Sequence, residues 1–172
     1  MPIIPLVSID MRLTEVLGIG CSVPPILLCI GTDRVTGDCF GPLVGTRLTE
    51  IHRINSFVYG TLNNPVTALN LMQTVAFIKL RHPNHSILAI DSSLGKESEV
   101  GTIRVIADGI YPGAATGKRL PKVGDISLTA TVAPLANSSL LYGVKLGLVH
   151  NLAVTAANAI ASSILEIGKK VC

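Results

Sequence analysis

An unbroken aliphatic run that stops at a polar loop constrains this chain more than any other feature. The run Ile26–Ile30 (ILLCI) leads directly into the loop GTDRVTGDCFGP, which carries two carboxylates, Asp33 and Asp38. Continuous apolar runs of this length are typical of parallel strands that are buried on both faces. The carboxyl end of such a strand is where open α/β sheets place their binding and catalytic groups. We therefore predict a strand at 26–31 whose following loop carries functional side chains.

The rest of the chain alternates strand-like runs with helix-like segments. The further predicted strands lie near 57–59, 86–91, 102–107 and 126–132. The predicted helical segments are one turn at 14–17, a helix with Pro42 in its first turn, one that begins at Val66 and runs to 80, and one at 138–171. Strands that alternate with helices imply right-handed crossovers and a parallel or mixed sheet covered on both faces. The second of these strands also ends on a carboxylate, Asp91.

Size and composition fit this architecture. The 172 residues are 48% hydrophobic but only 3% aromatic, so the core has to be built from Ile, Leu, Val and Ala. A chain of this length forms one domain by default. We predict a single α/β domain, 1–172, with a lead-in at 1–25. The expected fold is a three-layer α/β/α sandwich of the phosphorylase/hydrolase-like type, with a mostly parallel or mixed sheet.

Charge, cysteine usage and hydropathy limit the classes of binding partner and the cellular compartment that we expect. The formal net charge of +3 is scattered, and no basic run exceeds Lys169-Lys170, so we expect no nucleic acid partner. The four cysteines show no CxxC pairing, which favours a reducing cytosol. The apolar segment 16–30 contains Pro24-Pro25, lacks a basic leader and is shorter than the roughly 20 residues of a bilayer span, so no membrane association is expected.

Asp38 and Asp91 are the candidate functional pair. Two carboxylates that meet at strand ends can share a proton, activate a water molecule or hold a cation, because like charges push one pKa upward. The alternative is that each caps a helix or loop, since Asp often follows a strand in that role. Asp33 sits earlier in the loop, where bracing a turn is the simpler interpretation.

Other constellations are weaker. The loop glycines lack the Lys-Ser/Thr of a P-loop and the spacing of a dinucleotide fingerprint, and the four histidines show no metal-ligand spacing, so neither cofactor nor metal is expected. Cys39 stands next to Asp38, but no histidine follows nearby to act as its base. The segment 108–124 is unusually long for a loop and rich in Gly and Pro. Its Lys118 and Arg119 could neutralise a substrate carboxylate or shift the pKa of the aspartates, and the alternative is that they lie in solvent at a loop tip.

Five segments carry a family resemblance: GTDRVTGDCFGPLVGTRL, VYGTLNNPVTALNL, AIDSSLG, VGTIRV and PGAATGKRLPKVGDISLT. In this order and spacing they resemble the YyaC-type sporulation proteins of spore-forming Firmicutes, a family related to the germination protease that degrades small acid-soluble spore proteins. The resemblance implies that Asp38 matches an essential aspartate of that protease and that Asp91 matches its second strand-end aspartate. It also matches Pro112 and Gly113, through Lys118, to the glycine-rich loop.

Hydrogenase maturation endopeptidases share the implied fold and use acids at these two strand ends, with a histidine, to hold the nickel of their substrate. No histidine of this chain stands at the matching place, where Lys118 and Asp125 occur instead. The chain also has Val144-Lys145-Leu146 where family members carry Thr-Arg-Leu, and lysine lacks the forked donor of arginine. These departures weaken the implication of metal recognition.

The resemblance implies an endopeptidase-like hydrolase that acts on a protein in sporulation or germination, in the cytoplasm of the mother cell or forespore. Asp38 and Asp91 would do the acid and base work on a water molecule, while Thr32, Asp33, Pro112, Gly113 and Lys118 position the peptide. Small acid-soluble spore proteins are the expected substrate class, and a homo-oligomer is compatible with the sequence. A non-catalytic binding or scaffold protein and a metal-guided maturation endopeptidase are the alternatives.

Overall fold

A five-stranded mixed sheet lies at the centre of the protein, in the order β2-β1-β3-β5-β4. The computed structural model describes residues 6–18, 23–113, 120–135 and 138–171. The strands are β1 (Ile26–Cys29), β2 (Val58–Tyr59), β3 (Ile87–Gly95), β4 (Ile103–Ile106) and β5 (Ile126–Pro134). β2, β1, β3 and β5 are mutually parallel, and β4 pairs antiparallel with β5 at one edge. The predicted α/β class is confirmed.

Helices cover both faces of this sheet. They are α1 (Leu6–Gly18), α2 (Phe40–Thr46), α3 (Leu71–Arg81) and α4 (Leu146–Val171). The helices α1, α2 and α4 share one core with Leu27 and Cys29 of β1, whereas α3 shares a second core with Ile26 and Leu28. Alternate residues of β1 therefore enter different cores, which is why the strand reads as an uninterrupted apolar run.

The helix α4 also explains the most hydrophobic stretch of the chain. By length and composition alone, its segment Leu146–Lys169 could cross a bilayer, and it is the one such helix among the described residues. Its residues Val149, Ala153, Ala156 and Ile160 are instead buried in the core shared with α1 and α2. This burial is typical of the central helix of an α/β domain.

The helix α4 begins at Leu146, after the 3₁₀ segment Ser138–Gly143, and not at 138 as predicted. The helices α1 and α3 also differ from their predicted extent. The helix α1 has 13 residues instead of one turn, because its buried Leu13 and Leu17 belong to the same core as α4. The helix α3 begins at Leu71, not at Val66, because Val66 forms a parallel bridge with Ile30 and so extends the sheet. The extent of α1 and the start of α3 thus depend on tertiary contacts, which local helix propensity cannot predict.

The strand β3 is longer than predicted, and Asp91 consequently does not end it. Its partner β1 ends at Cys29, opposite Ile90, whereas β5 continues to pair with β3 as far as Gly95, with an irregularity between Ser93 and Leu94. Asp91 thus lies one residue beyond the last β1 register pair, within a strand that continues. Asp91 therefore lies beside the carboxyl end of the neighbouring strand β1, not at the end of its own strand.

The first turn of α2 meets the end of β1 through main-chain atoms. It starts at Phe40, two residues before Pro42, which occupies the first turn as predicted. A Cβ atom on Gly41 would overlap the carbonyl oxygen of Ile30, so the helix main chain lies directly against the end of the strand. Glycine is required for this approach.

Candidate acidic site

A cavity of about 670 Å³ opens at the carboxyl end of β1. Its volume lies within the range of ordinary ligand pockets. Both Asp38 and Asp91 contribute to its lining. The remaining described wall comes from residues 30–35, 65–69, 112–113, 120 and 139–142. The two acids of the predicted pair therefore face one common space.

The loop after β1 holds Asp38 through its own main chain. Asp38 ends a short 3₁₀ turn, Thr36–Asp38, and its carbonyl oxygen accepts the N–H of Thr32 at 3.1 Å. Gly31 makes this closure possible, because it has φ +140° and a Cβ atom there would overlap the Asp38 carbonyl oxygen. The side chain is partly buried, and its Oδ1 accepts a long hydrogen bond of 3.5 Å from the hydroxyl of Ser92.

The strand β3 positions Asp91. The preceding residue, Ile90, still takes part in the sheet, since its carbonyl oxygen accepts the N–H of Ile30 at 2.8 Å. By strand alternation Asp91 shares the sheet face of Ala89, while Ser92 shares the opposite face. Asp91 is only 7% exposed, which is rare for a carboxylate.

Burial shifts the protonation behaviour of both acids. It raises the pKa of Asp38 to about 6, although the Thr32 main chain and the Ser92 hydroxyl act in the opposite direction. Burial also raises the pKa of Asp91 well above its usual range, and the negative charge of Asp38 adds to this effect. Both carboxyl groups therefore keep their protons to higher pH than an exposed aspartate does. Two carboxyl groups in unlike environments of one cavity can act as an acid and a base.

Neither aspartate is placed as a helix cap. Asp91 lies inside β3, and the N-cap of α2 is Cys39, which makes no side-chain capping bond. Capping of a helix is therefore wrong for Asp91, and for Asp38 with respect to α2, whereas the Asp38 carboxyl does interact with the Thr32 main chain of its own loop. The carboxylate of Asp38 is directed instead at Ser92 on the neighbouring strand.

The predicted substrate-positioning residues line the same cavity where the structure describes them. Thr32, Asp33, Pro112 and Gly113 all belong to its wall, and Asp33 is solvent-exposed. Lys118, the fifth predicted residue, lies outside the described residues. The structure thus brings together parts of the 31–38 loop and of the 108–124 segment, which are distant in sequence.

The environment of Cys39 opposes a nucleophilic role. Its thiol is buried, and its pKa is raised first by that burial and then by the negative charges of Asp33 and Asp38. A cysteine nucleophile needs the opposite shift, because the thiolate is the reactive form. Within the described ranges, no three His, Cys, Asp or Glu side chains gather in a way that could hold a metal ion.

Three residues of the site were not predicted. Ser92 was visible in AIDSS as the polar neighbour of Asp91, but only the pairing of β1 with β3 brings its hydroxyl to Asp38. Leu69 and Tyr142 also line the cavity, and both are strongly exposed. They come from two further chain segments, so no local motif could have indicated them.

Fold and site together define an α/β sandwich protein with two carboxyl groups in one cavity at the end of a central strand. The chain belongs to the family described as "Protein of unknown function (DUF1256)", whose model matches residues 9–163. It is similar to the "Uncharacterized protein YyaC" of Bacillus subtilis (strain 168), with 36% identity over 140 residues, which cover 80% of this chain and 68% of that protein. These matches confirm the predicted YyaC-type family.

Proposed function

We propose that this protein is an endopeptidase-like hydrolase that uses Asp38 and Asp91 on a polypeptide substrate. The observation that carries the proposal is the placement of Asp38 and the buried Asp91 in the wall of one cavity. Asp38 has its pKa raised to about 6, while Asp91 is raised well above its usual range, partly by the charge of Asp38. General acid–base chemistry at neutral pH needs one group in each protonation state.

The proposed reaction begins with a water molecule beside ionised Asp38. Asp38 takes a proton from this water as its oxygen adds to the peptide carbonyl carbon, and Asp91 donates its proton to the developing oxyanion. Collapse of the tetrahedral intermediate breaks the C–N bond, and the amine leaves with the proton held by Asp38. The proton on the intermediate's hydroxyl returns to Asp91, so the pair ends with one shared proton, as it began.

The biological setting of the proposal rests on the family resemblance. The resemblance of the five sequence segments to sporulation proteins is the ground for a role in sporulation or germination, with small acid-soluble spore proteins as the substrate class and the mother-cell or forespore cytoplasm as the location. Thr32, Asp33, Pro112 and Gly113 would contact the substrate, because they line the same cavity as the acids.

The test is hydrolysis of small acid-soluble spore proteins and of a quenched peptide library by the purified full chain between pH 5 and 8. Asp38→Asn and Asp91→Asn should each lower kcat by about 100-fold or more, as loss of a general acid or base does. Glu166→Gln is the matched control, because Glu166 is an exposed carboxylate on α4 outside the cavity wall. Hydrolysis that survives both aspartate substitutions, or binding of spore proteins without any hydrolysis, would overturn the proposal, and the second outcome favours a binding protein.

A further inference from the structure

Two large apolar side chains stand at the mouth of the cavity. Leu69 is 89% exposed and Tyr142 is 73% exposed, and both belong to its wall. Single exposed apolar residues are common on proteins and need no explanation. Here, however, they line the same cavity as the apolar residues Leu120 and Leu141. Apolar surface that is concentrated around a concave site is typical of ligand recognition.

The turn that carries Leu69 is held in place by side-chain hydrogen bonds. Asn70 Oδ1 accepts the main-chain N–H of Thr67 at 2.7 Å, and Asn70 Nδ2 donates to the carbonyl oxygen of Pro65 at 3.2 Å. The hydroxyl oxygen of Thr67 in turn accepts the N–H of Leu69 at 3.3 Å. The exposure of Leu69 is therefore built into an ordered turn.

The turn that carries Tyr142 is attached to the segment of Asp38. Its neighbour Leu141 is 4% exposed and packs so closely on Gly37 that a Cβ atom on this glycine would lie 2.7 Å from the leucine side chain. Gly37 directly precedes Asp38 in the 3₁₀ turn Thr36–Asp38. Tyr142 thus has a defined position relative to the acid.

We propose that the substrate is a polypeptide with a large aliphatic or aromatic side chain next to the scissile bond, and that Leu69 and Tyr142 form the seat for this side chain. The inference deepens the proposed function and rests on it for the bond that is cleaved. A Leu or Phe side chain that binds in this cavity would remove more of the exposed apolar surface of Leu69 and Tyr142 from water than Ala would.

The first experiment compares quenched peptides that are identical except for Leu, Phe, Ala or Glu on either side of the cleaved bond. The expected kcat/KM for Leu and Phe exceeds that for Ala and Glu by about tenfold or more, since even one methylene in an apolar pocket changes it on that scale. Leu69→Ser and Tyr142→Ser should each lower the ratio of kcat/KM for the Leu peptide to that for the Ala peptide by severalfold.

Leu80→Ser is the matched control, because Leu80 is 79% exposed on α3 but does not belong to the cavity wall. It should keep the full preference. Since Leu69 and Tyr142 are exposed, their substitution removes little core packing, and thermal melting of each variant verifies the fold. Equal cleavage of all four peptides, or preference for Glu, would overturn the inference while the hydrolase proposal stands.

A binding measurement separates the two proposals. The Asp38→Asn/Asp91→Asn double variant is titrated with the same peptides, and fluorescence anisotropy should show about tenfold tighter binding of the Leu and Phe peptides than of the Ala peptide. If the wild type shows no cleavage, the hydrolase proposal fails. The apolar seat is still supported in that case if the double variant prefers the Leu and Phe peptides and Leu69→Ser abolishes this preference. Equal binding of the Leu, Phe and Ala peptides would refute the proposal that Leu69 and Tyr142 form an apolar seat.

Discussion

Ser92 contacts both acids of the site, and its hydroxyl donates to Oδ1 of Asp38 at 3.5 Å. Its main-chain N–H interacts with the carboxyl group of Asp91, the residue that precedes it in β3. Both interactions lower the pKa of the carboxyl group concerned, against the larger effect of burial. A single serine thus moderates the protonation of the pair from the middle of the sheet.

Removal of the Ser92 hydroxyl should shift the pH profile of the proposed activity. In Ser92→Ala the pKa of Asp38 rises further, because one interaction that lowers it is lost. The acidic limb of kcat/KM should therefore move to higher pH, with a severalfold loss of rate at pH 6. Ser92→Thr retains a hydroxyl and should restore the wild-type limb. An unchanged limb in Ser92→Ala would show that this contact does not act on Asp38.

The raised pKa of Asp38 should make the folded state less stable as pH rises. The ordinary value for an unfolded aspartate is about 3.9, whereas burial raises the folded value to about 6, so the folded protein binds this proton more tightly. The resulting stabilisation is fully present below pH 4 and is lost as pH rises through 6. Asp38→Asn removes the buried charge and should stabilise the protein at pH 7.5 by on the order of 2 kcal/mol.

Urea unfolding at pH 7.5 and at pH 4 measures this effect. The stability difference between Asp38→Asn and the wild type should nearly vanish at pH 4, where the wild-type carboxyl is protonated as well. Glu166→Gln should match the wild type within about 0.5 kcal/mol at both values, because Glu166 is exposed. Destabilisation of Asp38→Asn at pH 7.5 would contradict the assigned environment.

Cys39 should be dispensable for activity and slow to alkylate. Its pKa is raised by burial and by two neighbouring aspartates, so little thiolate exists at neutral pH. Cys39→Ala is expected to retain kcat within a few-fold. Mass mapping of the peptide that contains Cys39, after exposure to iodoacetamide at pH 7.5, should show labelling much slower than that of a free cysteine peptide. Rapid labelling with matching inactivation would reinstate the thiol as a candidate nucleophile.

Gly41 should tolerate no side chain. A Cβ atom on this residue overlaps the carbonyl oxygen of Ile30, so Gly41→Ala forces α2 away from β1 and should cost about 2–4 kcal/mol of unfolding free energy. Gly147→Ala on α4 is the matched control, because nothing lies within 4 Å of its added Cβ and alanine favours a helix. Thermal melting should show opposite changes for the two variants. Equal melting temperatures would contradict the close approach.

The sequence predicted the strands that are buried on both faces and the meeting of Asp38 with Asp91 at one cavity. Both follow from rules that act locally: a continuous apolar run marks the strand, and parallel strands present their carboxyl ends together. Features that depend on contacts between residues distant in sequence could not be predicted. Val66 joins the sheet through Ile30, β5 extends β3 past Asp91, and the 139–142 turn is placed by Leu141 on Gly37.

The main-chain contact of Gly41 with Ile30 fixes the point at which α2 meets the end of β1. The 3₁₀ turn of Asp38 leads directly into α2, so this contact also helps to set where the acid lies relative to the strand. A larger residue at this glycine would disturb the acid and the fold together. Among homologues, we therefore expect this glycine to vary less than the Ile, Leu and Val residues of the core.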